Sequence, residues 1–290
     1  MMNRSILVTG APGNVGTEVV RGLIGKTEFR VGARDVSQAQ GVLGDVADYV
    51  HFDFLGPATF APTFAGIEKL FLVRPPAISN VKRDITPALT AAKQAGVKHI
   101  VFLSIQGVEQ NRMVPHFKIE AAIRELGFDY TFLRASFFMQ NLRTTYQAEI
   151  RDHNEIAVPV GKSKTSFVDV RDLGAVAVRA LTEPGYQNKQ YTLTGSEALD
   201  YEQVAAFLSD ALGRTIRYTR PSVISFVAKQ LAQKHPLDYT IVLAGLYTIT
   251  RFGNASEVTH DVQTLLGRPP ILFKQFANDY RAAWLPQVTK

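Results

Sequence analysis

Short apolar runs alternate with helical stripes along the first half of the chain. Ile6-Leu7-Val8-Thr9 has the length and β-branching of a buried strand, and glycines follow it. The next segment places Val15, Val19, Leu23 and Ile24 on one helical face, with Gly25 as a stop. Phe29–Ala33, Tyr49–Phe52, Lys69–Val73, His99–Leu103 and Tyr130–Leu133 predict five more strands. A helix carrying Ile85, Ala88, Leu89 and Ala92 is expected before Gly96, and Pro87 fits its first turn. Strands that are apolar throughout and separated by helices predict a parallel sheet covered on both faces, wound right-handedly into a doubly wound α/β domain.

After about Asn141 the alternation weakens. Phe167-Val168-Asp169-Val170 reads as a strand. Asp172 is placed to cap a helix carrying Leu173, Val176, Ala177 and Ala180. Gln190–Leu193 is expected as a late strand, and Tyr201–Leu212 and Val223–Ala232 as helices. This pattern suggests a nucleotide-binding domain over 1–153, to which residues of about 171–194 return. A smaller substrate-side region would then occupy 154–290.

Composition removes several function classes. The 290 residues include no cysteine, which excludes disulfides, thiolate catalysis and Cys-ligated metals. The other histidines, His51, His99, His153, His235 and His260, lack metal-ligand spacing. There is no Gly-x-Ser-x-Gly elbow and no P-loop. The net charge of +6 is spread over scattered cations, of which Lys162-Ser163-Lys164 is the densest group. That suits an anionic cofactor and gives no reason to expect nucleic acid. Met1–Ser5 lead straight into the first strand, and the uncharged stretch Tyr239–Thr250 is too short to span a bilayer. A cytoplasmic protein with no membrane partner is therefore expected, and base rates favour a homodimer.

The chemistry centres on Gly10-Ala11-Pro12-Gly13-Asn14-Val15-Gly16, which follows the first strand and opens the first helix. A dinucleotide needs a tight turn there, a close backbone approach to its pyrophosphate, and helix N-terminal amides facing the anion. The strand before and the helix after supply the context that a glycine triplet alone lacks. Arg34 ends the second strand, where an acid would select NADH and an arginine accommodates the 2′-phosphate of NADPH. NADPH is thus favoured over NADH. Asp35 could take the acid's place if the strand ends one residue later.

Together with Val31–Asp35, Gly96–Ser104, Phe128–Arg134 and Phe167–Gly174, this loop resembles the NmrA-like family, the atypical branch of short-chain dehydrogenase/reductases. The likeness covers about residues 5–213 and is nearest to bacterial quinone- and azo-reductase-like members. It implies a Rossmann fold. It also implies that Asp53 and Phe54 lie by the adenine, with Val73, Arg74 and Pro75 along the ribose and pyrophosphate. Ser104 would lie near the nicotinamide, and Phe137, Phe138 and Asn141 would border nicotinamide and substrate. Such proteins reduce small flat acceptors, or act as non-catalytic redox sensors through a protein partner.

The Tyr-x-x-x-Lys pair of short-chain dehydrogenases is absent, and His116-Phe117-Lys118-Ile119-Glu120 stands in the matching place. Hydride transfer to a quinone or carbonyl leaves an oxyanion that needs a proton. His116 is the first candidate donor because its ordinary pKa lies near neutrality, with Glu120 on the same helical face to orient it. Lys118 is the reserve, as donor or as a fixed cation for the cofactor. Phe137, Phe138, Met139 and Phe167 could line an apolar slot for an acceptor, although core packing is the commoner fate of Phe. An NADPH-dependent reductase is the leading reading and a cofactor-sensing regulator the alternative.

Overall fold

The computed structural model describes residues 5–234 and 236–286. Met1–Arg4, read above as a lead-in, and His235 lie outside them.

In chain order the elements are β1 (Ile6–Thr9), α1 (Asn14–Leu23), β2 (Phe29–Ala33), α2 (Val36–Leu43), β3 (Asp48–His51), α3 (Phe60–Phe64) and β4 (Lys69–Leu72). Next come α4 (Val81–Asp84), α5 (Thr86–Gln94), β5 (His99–Ile105), α6 (Pro115–Glu125), β6 (Asp129–Ala135), α7 (Gln147–His153) and β7 (Glu155–Ile156). The chain continues with α8 (Val170–Thr182), β8 (Lys189–Leu193), α9 (Tyr201–Leu212), β9 (Arg217–Tyr218) and α10 (Val223–Ala232). It closes with α11 (Leu237–Arg251), α12 (Asp261–Leu266) and α13 (Phe273–Asp279).

Two compact units form. The first combines residues 1–135 with 170–193, and the second combines 136–169 with 194–290. The first unit holds a seven-stranded sheet in the order β3-β2-β1-β4-β5-β6-β8. Every neighbouring pair in it is parallel. The doubly wound fold expected from the alternating pattern is therefore present. Ile6, Leu7 and Val8 are buried to within 3% exposure, as strands covered on both faces require. The strand order reverses between β1 and β4, where the crevice outside the strand ends is the usual ligand position of such sheets.

The second unit has its own core, in which Phe167, Phe226, Phe273, Phe276 and Trp284 are buried. Its only sheet among the described residues is the two-residue pairing of β7 with β9.

Several boundaries differ from expectation. The first crossing between units comes at Ala135/Ser136, not at 153, because Met139, Leu142, Tyr146 and Ile150 all pack into the second unit's core. Residues 170–193 belong to the first unit. Phe167–Val170 is not a strand: Val168 makes an isolated bridge to Phe138, and Val170 already begins α8. Asp172 consequently lies inside the first turn of that helix, fully buried, instead of capping it.

Candidate functional site

The end of β1 is tied to the end of β4 by one side chain. Thr9 Oγ1 donates to Phe71 O at 2.9 Å and accepts from Val73 N at 3.1 Å. Gly10 then turns with φ +78°, so close to Val73 that a methyl group on it would lie 2.6 Å from Val73 Cβ. A methyl on Gly13 would lie 2.7 Å from Gly10 O, and one on Gly16 would lie 2.5 Å from the same oxygen. All three glycines are therefore required by sterics.

The loop ends as the N-terminus of α1. Its first intrahelical bond runs from Thr17 N–H to Gly13 O at 3.0 Å, after the amides of Asn14, Val15 and Gly16. No side chain caps this end. Amides left uncapped beside a cradle closed to any Cβ fit a phosphate group. A dinucleotide pyrophosphate fits the residues present.

The ambiguity at the end of β2 resolves in the local geometry. Asp35 is the N-cap of α2, its carboxylate accepting from Gln38 N at 2.8 Å. Arg34 is exposed, its carbonyl accepting from His51 Nδ1 at 2.9 Å if that nitrogen carries the proton. Among the described residues no hydrogen bond or ion pair engages its guanidinium. Asp53 folds onto its own loop, where its carboxylate accepts from Leu55 N. Phe54 is buried edge-on to Phe52 at 4.8 Å, in an aromatic cluster with Phe60 and Phe64.

At the end of β4, Arg74 Nη1 donates to the carbonyls of Pro75, Pro76 and Ile78 at 2.7–3.0 Å. Its Nε is buried without a partner among the described residues. Burial holds this guanidinium below its ordinary pKa.

The His116 region differs most from expectation. His116 is half-buried and stacked on Phe102 at 5.9 Å. Burial, reinforced by the Arg74 charge, lowers its pKa from 6.5 to about 3. It is therefore neutral at physiological pH and has no cationic proton to supply near neutrality. Glu120 does not orient it either. The Glu120 carboxylate accepts from Ser104 Oγ at 2.7 Å and from Arg134 Nε and Nη2 at 3.1 and 2.8 Å. Glu120 and Ser104 are each 1% exposed, so the expected nicotinamide neighbour Ser104 is a buried partner of Glu120. Lys118 is exposed.

The family likeness runs through Arg134 but assigns it no role. The signal for one was available: a lone cation at the end of an apolar strand needs a buried partner. Glu120, together with Glu109 at 3.2 Å, supplies it and raises the Arg134 pKa against the opposing effect of burial.

The remaining site residues belong to the second unit. Phe137 is half-buried and stacked on Tyr247 at 6.3 Å. Phe138 and Asn141 are also half-buried, with Asn141 N donating to Phe138 O at 3.2 Å. Phe167 is a core residue, 3% exposed and edge-on to Tyr201 and Phe273, so it is not a free wall for an acceptor.

The model of the NmrA-like family matches residues 2–264 of this sequence. The chain belongs to that family. An NAD(P)H azoreductase of Xenophilus azovorans is 34% identical over 96% of this chain and 99% of its own length. Quinone oxidoreductase 2 of Escherichia coli (strain K12) is 24% identical over 91% of this chain and 94% of its own. Among solved structures, the triphenylmethane reductase of Citrobacter sp., complexed with NADP(H), superposes with a TM-score of 0.83. It is 25% identical, covering 95% of this chain and 99% of that one. NmrA itself, a negative transcriptional regulator, shares the fold at a TM-score of 0.75 and 17% identity.

Proposed function

We propose that this member of the NmrA-like family is an NADPH-dependent reductase that transfers hydride to a small flat acceptor such as a quinone or an azo compound. The observation that carries the reading is the glycine cradle at the uncapped start of α1, with Arg34 exposed at the end of β2 and Asp35 occupied as a helix cap. The full-length similarity to a relative named as an NAD(P)H azoreductase supports the oxidoreductase class and the acceptor type.

In this reading Gly10, Pro12, Gly13, Asn14, Val15 and Gly16 hold the pyrophosphate through backbone amides. Arg34 offers a planar fork to the 2′-phosphate, and Asp53, Val73, Arg74 and Pro75 border the nucleoside portions. The reduced nicotinamide supplies the hydride when the cofactor is bound. His116 stays neutral and acts as a hydrogen-bonding group toward the reduced acceptor, whose proton comes from water. Lys118 is not required as an acid.

The test is the loss of NADPH absorbance in the presence of a panel of quinones and azo dyes, with cofactor affinity measured by calorimetry. Turnover of at least one acceptor class is expected. The absent Tyr-x-x-x-Lys pair and the neutral His116 favour one alternative, a redox sensor. Tight NADPH binding without turnover of any acceptor would replace the reductase reading with that one.

A further inference from the structure

No helix among the described residues is long and apolar enough to cross a membrane. The expectation of no membrane partner rested on spanning length alone, and the uncharged stretch within α11 is long enough to lie on a membrane. The buried side of this helix presents Thr240, Ala244, Tyr247 and Thr250 to the second unit. Its outer side carries Leu237, Ile241, Gly245, Ile249 and Phe252, spaced as one helical stripe. Leu237 and Ile241 are each 59% exposed and Phe252 is 78% exposed. The neighbouring α10 also exposes Ile224, at 83%, together with Ala228 and Leu231 at the same helical spacing. A solvated surface helix places charge on such a face, and a contiguous apolar patch marks an interaction site.

The charges around this face are mostly positive. Between Pro221 and Ser256 the sequence holds a single acid, Asp238, against Lys229, Lys234 and Arg251. Lys229 is already held by Glu149 and Glu155. Lys234 is exposed in the turn that leads to α11, and Arg251 is exposed at its far end. The turn at Gly161 closes on that far end, where Ser163 Oγ donates to Arg251 O at 2.5 Å, and it adds the exposed Lys162 and Lys164. An apolar stripe with cations at both ends suits a surface of anionic headgroups over acyl chains.

We propose that the outer face of α10 and α11 docks on the surface of a bilayer rich in anionic phospholipid, lying in the headgroup region without crossing it. Leu237, Ile241, Ile249 and Phe252 insert, while Lys162, Lys164, Lys234 and Arg251 contact the headgroups. The proposal does not depend on which acceptor the protein reduces.

The experiment is flotation of the full chain with phosphatidylcholine vesicles and with vesicles containing about a third phosphatidylglycerol. Binding to the anionic vesicles is expected, weakened by salt and far above binding to the neutral ones. Ile241→Glu with Ile249→Glu should abolish it, with circular dichroism and NADPH affinity unchanged. Lys162→Glu with Lys164→Glu should weaken the anionic association on the order of fivefold for each cation removed. Failure of wild type to float with anionic vesicles would overturn the proposal. So would a concentration-dependent dimer dispersed by Ile241→Glu, which would assign the face to a second copy.

Discussion

A single arginine and a single glycine carry the sharpest expectations about the cofactor. Arg34 is exposed and has no competing partner among the described residues, so Arg34→Glu should raise the KM for NADPH roughly tenfold or more and leave that for NADH nearly unchanged. Steady-state kinetics with both cofactors checks this. At Gly10 an alanine would meet Val73 Cβ at 2.6 Å in a left-handed backbone, so Gly10→Ala should cost about 1–3 kcal/mol and abolish NADPH binding. Denaturant titration with calorimetry would show both. His116 and His99 set a pH dependence of another kind. Burial lowers them to about 3 and about 4, below the 6.5 of the unfolded chain. Between those values the unfolded state binds protons that the folded state refuses, so stability falls as pH drops from 6.5. Each histidine contributes about 1.4 kcal/mol per pH unit within its window and nothing at pH 7. His116→Phe should flatten the urea-derived stability profile between about pH 4 and 6, and the pH–kcat profile of wild type should show no inflection from this residue near 6.5. The glycines and Arg34 were legible because each is dictated by backbone geometry next to a recognisable strand end. The state of His116 was not legible. It depends on Phe102 of β5 and on Arg74 in the loop after β4, and sequence spacing records neither.

At the scale of elements, the Glu120 network joins three pieces of the first unit: α6 through Glu120, β5 through Ser104 and β6 through Arg134. Removing the acid leaves the Arg134 guanidinium buried with only the half-exposed Glu109 and the neutral amide oxygen of Gln190 beside it. Glu120→Ala should therefore destabilise by about 3 kcal/mol, whereas Glu120→Leu combined with Arg134→Met should recover most of that loss. A double-mutant cycle by chemical denaturation separates the two outcomes. The four-residue offset between His116 and Glu120 suggested a pair on one helical face, but helical spacing says only which residues share a face. It cannot say that a stronger cation will reach the acid from the neighbouring strand. The same limit explains Phe167–Val170. A short apolar run is ambiguous between a buried strand and the start of a buried helix. Here α8 packs so tightly on α1 that a methyl on Gly174 would lie 2.6 Å from Glu18 Cβ, and one on Gly22 would lie 2.8 Å from Val178 Cγ2. With so much of α8 buried, its polar face is nearly absent from the pattern. The sheet strands β1, β2, β5 and β6 were plain because continuous apolar runs bounded by turns have few other uses.

For the whole molecule, the expected boundary at 153 failed for a reason of packing. Residues 136–150 carry apolar positions like the segment before them, and only their packing partners reveal that they belong to the second core. The outcome is a chain that passes between its units three times, at 135/136, 169/170 and 193/194. Neither unit is a continuous segment, so melting one releases chain ends that the other must hold, and a single cooperative transition is expected. The protein carries its own probe for this. Its one tryptophan, Trp284, is fully buried in the second unit and donates Nε1–H to Leu142 O at 2.9 Å, whereas the phosphate cradle lies in the first unit. Tryptophan fluorescence thus follows the second unit, and NADPH held at the proposed cradle would stabilise the first. With NADPH at a hundred times its Kd, linkage adds about 2.7 kcal/mol to whatever unfolds with the binding site. Thermal melts followed by fluorescence and by far-ultraviolet circular dichroism should coincide, and NADPH should raise both midpoints together by several degrees. A cofactor shift seen by circular dichroism but not by Trp284 would mean that the units unfold independently despite the three crossings.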